Sequence, residues 1–147
     1  MSKTYEYIHL VFATRERQRV LIGENRARLE GFLFALLKDQ GHYPYRVTVM
    51  PEHVHMFFDK NKFVCIPELA QSIKGASSRW IKQNELFPYF QGWGKEYFAG
   101  SISSWDKDMI IKYVANQEKH HSGLNFVDEM KRLYASAGLI WHNSDLL

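Results

Sequence analysis

Two histidines separated by a single residue are the first feature of this sequence that could do chemistry. His53 and His55 lie in a stretch, residues 53–58, whose apolar residues alternate as they do in a β-strand. Residues two apart on a strand point to the same face, with Cα atoms about 7 Å apart. Both imidazoles could therefore chelate one divalent cation. The same spacing also fits two histidines that are exposed or hydrogen-bonded, so the pair alone does not decide between these interpretations.

A tyrosine and a glutamine lie one helical turn apart further along the chain. Residues 103–121 have the pattern of a helix, with a serine at position 103 or 104 as its N-cap. Tyr113 and Gln117 would share one face of that helix, and His120 would continue it. A packed aromatic ring and a solvated amide would give the same pattern. His120 could assist a site on this face, or it could be stabilised near a helix C-terminus.

Polar and basic side chains that could contact phosphate fall into two groups. One group follows the first predicted strand, and the other lies on a predicted helix together with a serine hydroxyl. The members are Arg15, Arg17 and Arg19, and then Lys74, Ser78, Arg79 and Lys82. A solvated surface would explain them equally well. The formal net charge of +3 is compatible with a nucleic-acid partner but does not require one.

The elements that must position these residues follow one order along the chain. Alternating apolar residues predict four strands, at residues 5–13, 45–50, 53–58 and 97–102. Helical periodicity predicts helices at residues 23–40, from residue 67 onward, at 103–121 and from about residue 124 to 138. The first strand is apolar on both faces, which predicts a central position. We therefore predict an α+β fold: a ferredoxin-like βαββαβ antiparallel sheet with helices on one face, followed by C-terminal helices.

Length and composition restrict the class of protein. A chain of 147 residues with 46% hydrophobic and 24% charged residues fits one compact globular domain. Cys65 is the single cysteine, so an intramolecular disulfide is excluded. We find neither a signal-peptide core nor an apolar run of membrane-spanning length. These features predict a soluble, cytoplasmic protein without a membrane partner.

Taken together, five segments resemble the single-tyrosine HUH transposases of the insertion-sequence 200/605 family. They are residues 7–12 with the arginine-rich turn after them, then 50–55, 74–79, 94–98 and 113–117. Glu52 stands where this family usually has Asp or Asn, and Glu96 where it has Gly. From the resemblance we expect one HUH transposase domain over residues 1–147. Its core would lie at about 5–121, with a C-terminal helical extension at about 122–147.

The resemblance implies an activity and its residues. His53, His55 and Gln117 would bind a divalent metal, and this mixed nitrogen and oxygen set suits Mg²⁺ or Mn²⁺. Tyr113 would be the nucleophile that cleaves and rejoins single-stranded DNA through a covalent 5′-phosphotyrosine bond. The partners would be DNA hairpins at the ends of an insertion sequence. The resemblance also implies a homodimer with shared active sites, each combining the histidine pair of one subunit with the tyrosine of the other.

Three other functions fit parts of this pattern. A replication-initiation protein or relaxase shares the chemistry, but such chains are generally larger than 147 residues. A domesticated, non-mobile hairpin-binding protein need not keep all four of His53, His55, Tyr113 and Gln117, so their presence favours an active enzyme. A structural metal protein is disfavoured because the sequence has no cysteine cluster.

Overall fold

A computed structural model describes residues 1–117, 125–145 and 147, and its centre is a four-stranded sheet. The strands are β1 (Tyr7–Ala13), β2 (Tyr43–Val49), β3 (His53–Asp59) and β4 (Phe98–Ile102). Their spatial order is β2-β3-β1-β4, and every neighbouring pair is antiparallel. The helices are α1 (Asn25–Asp39), α2 (Ile66–Gln83), α3 (Lys107–Ala115) and α4 (Phe126–Ser136). The predicted ferredoxin-like α+β fold is confirmed.

Strand β1 is apolar on both faces because helices cover both faces of the sheet. It lies between β3 and β4, which confirms its predicted central position, although it begins at Tyr7 and not at residue 5. Leu10 and Phe12 belong to the core on one face, whereas Val11 and Ala13 belong to a smaller cluster on the other. The side chains of this strand therefore pack against helices on both faces of the sheet.

The larger core lies between the sheet and helices α1 and α2. Its helical side chains are fully or almost fully buried leucines and isoleucines: Leu29, Leu33 and Leu37 of α1, with Leu69, Ile73 and Ile81 of α2. Helix α1 ends just before Gly41, as predicted, because Gly41 has a φ of +83° that residues with a side chain rarely adopt. A Cβ at that position would also lie 2.7 Å from Asn61 Nδ2.

The opposite face of the sheet is covered by the C-terminal helices. Helix α3 packs against β2 and β3, and α4 contributes Phe126 and Met130 to the smaller cluster. Helix α3 begins later than the predicted helix at residues 103–121, and residues 118–121 of that prediction lie outside the described residues. Ser103 does not cap it, because its Oγ donates to Asp106 Oδ2 (3.2 Å) and its carbonyl accepts from the Asp106 N–H (3.1 Å) in a preceding turn. Helical geometry therefore begins only at Lys107 and ends at Ala115.

Lys74 of α2 ties the loop before β4 to the helix. Its Nζ donates to the carbonyl oxygens of Gly94 (3.0 Å), Lys95 (3.3 Å) and Glu96 (2.9 Å). Burial lowers the pKa of Lys74 below its ordinary value. Its ammonium group therefore has a structural role, which differs from the phosphate contact that we predicted from the sequence. Among the described residues, no helix combines the length and apolar character needed to cross a membrane.

We predict that Lys74→Met lowers the free energy of unfolding by about 1–3 kcal/mol, because three carbonyls lose a charged donor. Urea unfolding would measure the change. Lys82→Met is the matched control, since Lys82 is exposed on the same helix and its loss should change stability by less than about 0.5 kcal/mol. A Lys74→Met protein with unchanged stability but weakened DNA binding would contradict the structural role.

Candidate active site

The two histidines of β3 point to the same face of the sheet, as their spacing predicts, but they are completely buried. His53 and His55 are 0% exposed because α4 lies over them. The carboxylate of Glu129, on α4, lies between their Nε2 atoms. The distance from His55 Nε2 to Glu129 Oε1 is 2.9 Å, and that from His53 Nε2 to Glu129 Oε2 is 3.8 Å. One ligand atom from each of the three residues lies within 4.8 Å of the others.

Each histidine is held from behind by a second polar side chain. His53 Nδ1 lies 2.7 Å from Glu52 Oε1, and the other oxygen of Glu52 accepts from Arg19. His55 Nδ1 shares a hydrogen bond of 2.8 Å with His9 Nε2 on β1. Hydrogen bonds of this kind fix the ring orientation and tautomer of a metal-binding histidine. Glu52, one of the two departures from the family pattern, therefore supports His53.

His9 is suited to accept a hydrogen bond from His55. It is buried, and this burial, together with the nearby His55, holds the pKa of His9 well below its ordinary value. A neutral His9 can accept at Nε2 from His55 Nδ1–H, and in that tautomer the His55 Nε2 lone pair would face a bound cation. His9 was not among the site residues predicted from the sequence. It lies on the same face of β1 as Tyr7 and Val11.

Tyr113 lies in the last turn of α3, against the histidines of its own chain. Its ring centroid is 5.8 Å from that of His55 and 5.9 Å from that of His9, edge to face in both cases. The phenol Oη donates to Glu129 Oε1 over 2.6 Å. Burial raises the pKa of Tyr113, and the charge and hydrogen bond of Glu129 raise it further. The phenol is therefore protonated at neutral pH.

Gln117 is buried beside Tyr113, although the two do not share a continuous helix as predicted. Helix α3 ends at Ala115, and the Gln117 side chain turns back so that Nε2 donates to the Tyr113 carbonyl over 3.2 Å. Gln117 Oε1 is buried, and within the described ranges it accepts no hydrogen bond. A buried amide oxygen with this property suits a metal ligand. His120 lies outside the described residues.

These donors fit a divalent cation of the Mg²⁺ or Mn²⁺ type. They comprise two imidazole nitrogens, a carboxylate and a buried amide oxygen, which is a mixed nitrogen and oxygen set. Glu129 was not among the residues predicted from the sequence. A signal was present, because Glu129 occupies the apolar stripe of α4 next to Met130 and one turn after Phe126, where a charged residue needs a buried partner.

The residues predicted to contact DNA have different surroundings. Arg15, Arg79 and Lys82 are exposed, and Ser78 is half-buried. Arg17 donates to the Leu147 carbonyl over 3.1 Å. Arg19 contacts Glu52 while its side chain remains 70% exposed, and Lys74 is bound to the loop before β4. The exposed members remain candidates for phosphate contact.

A single chain contains the complete set of site residues. Tyr113, His53, His55 and Glu129 of the same chain converge on one buried region. This differs from the shared site that the family resemblance implies, in which the tyrosine comes from the other subunit. Four residues, 103–106, separate β4 from α3, which lies over β2 and β3 of the same chain.

Comparison with known proteins gives consistent matches. Residues 2–117 match the family described as "Transposase IS200 like". The ISDra2 transposase TnpA of Deinococcus radiodurans is 28% identical over 114 residues, which cover 74% of this chain and 81% of that protein. A crystal structure from Deinococcus radiodurans R1, described as that of a transposase, has a TM-score of 0.62 at 27% identity and covers 80% of this chain and 95% of its own.

A more distant structure extends the likeness of fold over the whole chain. The REP-associated tyrosine transposase bound to a REP hairpin has a TM-score of 0.50 at 14% identity, covering 100% of this chain and 93% of its own. At that identity the likeness concerns the fold alone. The family match spans most of the chain and includes β1, the histidine pair and the tyrosine helix. The chain therefore belongs to the IS200-like transposase family.

Proposed function

We propose that this transposase cleaves and rejoins single-stranded DNA, with Tyr113 as the nucleophile and a divalent metal ion at the histidine pair. One observation carries the proposal. The phenol oxygen of Tyr113 and the Nε2 atom of His55 contact the same oxygen of Glu129, at 2.6 Å and 2.9 Å. One buried carboxylate thus contacts both the side chain that we propose as nucleophile and one that we propose as metal ligand.

The chain would hold Mg²⁺ or Mn²⁺ through nitrogen and oxygen atoms. His53 and His55 would bind through Nε2, and Gln117 through Oε1, as the family resemblance implies. We add Glu129 as a charged oxygen ligand, because its carboxylate lies between the two Nε2 atoms. When bound, the ion would neutralise part of the phosphodiester charge and align the scissile bond.

Tyr113 would supply covalent catalysis. Its Oη forms a bond to the phosphorus of the 5′-phosphate end while the bond to the 3′-oxygen breaks, and the 3′-oxygen leaves with that electron pair. The phenol loses one proton and the leaving 3′-oxygen gains one, so the step is balanced. The phosphotyrosine bond conserves the energy of the broken linkage, and attack by a 3′-hydroxyl reverses the step without ATP.

The DNA partner would be a hairpin at the end of an insertion sequence. A structural neighbour of the same fold is described as bound to a REP hairpin, which supports this class of partner. Arg15, Arg79 and Lys82 are exposed and could contact the hairpin phosphates. We further infer that residues 1–147 act as one catalytic unit, since Glu129 lies beyond the segment that matches the family.

We predict that Tyr113→Phe abolishes the covalent protein–DNA adduct and lowers the cleavage rate at least about 1,000-fold. Affinity for hairpin DNA should change by less than about twofold, because the hydroxyl is buried against Glu129. A denaturing gel with labelled DNA measures the adduct, and a binding assay measures the affinity. Tyr134→Phe, a half-buried tyrosine on α4, is the control and should retain the adduct. A Tyr113→Phe enzyme that still attaches to DNA would refute the assignment.

We predict that His53→Ala, His55→Ala and Glu129→Ala each weaken Mn²⁺ binding, measured by calorimetric titration, by at least about tenfold. Each variant removes one ligand of the proposed site. His142→Ala and Glu16→Ala remove an exposed imidazole and an exposed carboxylate elsewhere, and both should bind the ion normally. Gln117→Ala tests the amide ligand separately. Unchanged Mn²⁺ affinity in both His53→Ala and His55→Ala would exclude this metal site.

We infer that each chain uses its own tyrosine, because Tyr113 contacts Glu129 and His55 of the same chain. A homodimer remains a prediction from the family resemblance. Mixing His55→Ala chains with Tyr113→Phe chains separates the two arrangements. We expect no recovery of cleavage, since every site carries one defect. Recovery to part of the wild-type rate, with mixed dimers shown to form, would instead support sites shared between subunits.

A further inference from the structure

A cluster of aromatic rings continues the active-site face of the sheet beyond the histidines. Tyr7 lies two residues before His9 on β1, and Phe57 lies two residues after His55 on β3. Residues two apart on a strand share a face, so these rings begin about 7 Å from the site residues. We call the cluster the tyrosine platform; its members are Tyr5, Tyr7, Tyr43, Tyr45 and Phe57.

The rings of the tyrosine platform form a continuous series. Centroids are 5.0 Å apart for Tyr5 and Tyr7, 6.0 Å for Tyr7 and Tyr45, and 5.1 Å for Tyr45 and Tyr43. Phe57 lies beneath them, 6.0 Å from Tyr7 and 5.7 Å from Tyr45, and it is fully buried. The two ends of the series are open to solvent, since Tyr5 is 56% exposed and Tyr43 is 65% exposed.

An irregularity in β2 brings two tyrosines of that strand to the platform. The pairing of β2 with β3 shifts between Pro44 and Arg46, which leaves Tyr45 outside the regular ladder. Tyr43 and Tyr45 are two residues apart, and their rings contact each other on this face. Register shifts of this type redirect side chains and are frequent beside functional sites.

A positive charge lies over the same rings. Lys107, the first residue of α3, has its Nζ 4.6 Å from the Tyr45 ring centroid and 5.6 Å from that of Tyr7. Two nearby carboxylates, those of Asp59 and Glu6, are engaged elsewhere, whereas Asp108, the next residue of α3, is exposed and interacts electrostatically with Lys107. Asp59 Oδ1 accepts from the Glu6 N–H over 2.8 Å, and the Glu6 side chain lies 3.2 Å from Lys60 Nζ. The charge presented at the rings is therefore that of a lysine.

We propose that the tyrosine platform stacks the bases of the DNA strand next to the scissile phosphate, and that Lys107 contacts the backbone phosphate of those nucleotides. This inference rests on the proposed function. Exposed aromatic rings combined with a cation are the features by which proteins bind single strands, since every base has a face that can stack. The platform adjoins the nucleophile on one sheet face, so a strand passing Tyr113 would reach it. A second copy of this chain is the competing occupant.

Binding of two labelled strands of equal length tests the platform, one of oligothymidylate and one of abasic backbone, at fixed salt and without metal. The double variant Tyr5→Ala/Tyr43→Ala should bind the oligothymidylate at least about fivefold more weakly, since stacking contributes about 1–3 kcal/mol per base. It should bind the abasic strand as the wild type does. Tyr5→Trp/Tyr43→Trp should retain binding, and Tyr89→Ala, an exposed tyrosine outside the platform, should change nothing. Lys107→Ala should weaken both strands equally and reduce the salt dependence.

Three results would overturn the proposal. Equal losses for the thymidylate and abasic strands would mean that the rings do not stack bases. Unchanged binding of the double alanine variant would mean that the rings do not contact the strand. Dissociation of a dimer by the same variant in sedimentation without DNA would assign the platform to a second copy of the chain. Because the assay needs no cleavage, its failure is distinct from failure of the proposed nucleophile, which Tyr113→Phe reports.

Discussion

A carboxylate buried beneath a helix must have its oxygen atoms paired, and the active-site face of this protein depends on that requirement. Glu129 is 4% exposed; its Oε1 accepts from the Tyr113 hydroxyl and lies 2.9 Å from His55 Nε2, and its Oε2 lies 3.8 Å from His53 Nε2. An unpaired charge in such a position would cost several kcal/mol. The position of α4, the orientation of His55 and the direction of the tyrosine side chain are therefore mutually dependent. None of the three can change without disturbing the other two.

Hydrogen bonds connect the two histidines to residues outside the site in two directions. Behind His55, a hydrogen bond to His9 links the site to the central strand β1, in which all residues but Tyr7 are buried. Behind His53, Glu52 links the site to Arg19, near the protein surface. The histidine rings are thus oriented by neighbours on β1 and on the turn before β3. Both histidine rings lie on a rigid sheet and are hydrogen-bonded at Nδ1. Their side chains would therefore lose little conformational freedom when a cation binds.

The parts of the fold that the sequence predicts well are those where one residue pattern has one structural meaning. The alternation around His53 places both imidazoles on one face, and Gly41 ends α1, because period-two strands and positive φ values leave little choice. The predicted start of α3 was wrong because the local Ser103–Asp106 turn competes with helix formation. Such a competition depends on geometry that residue type alone does not determine.

The candidate site was predictable only in part, for a related reason. His53, His55, Tyr113 and Gln117 lie within the segment that resembles the family, and the structure brings them together. Glu129 and His9 could not be recognised from spacing along the chain, because only the folded structure shows that they contact His55. Glu129 lies 76 residues after His53. For Lys74, the structure shows contacts that the sequence did not predict. Its sequence context suggested phosphate contact, but three backbone carbonyls lie within its reach.

The burial of the histidines under α4 has a consequence for the order of events during a reaction. A phosphodiester cannot approach side chains that are 0% exposed unless Phe126 and Met130 move away first. On the proposed function, the closed arrangement would exchange with an open one, and the scissile phosphate would enter only the open fraction. If one molecule in a hundred is open, the apparent dissociation constant is about 100-fold higher than the intrinsic one. Substitutions that loosen α4 would accordingly favour entry of the phosphate without contacting the DNA, while moving Glu129 away from Tyr113.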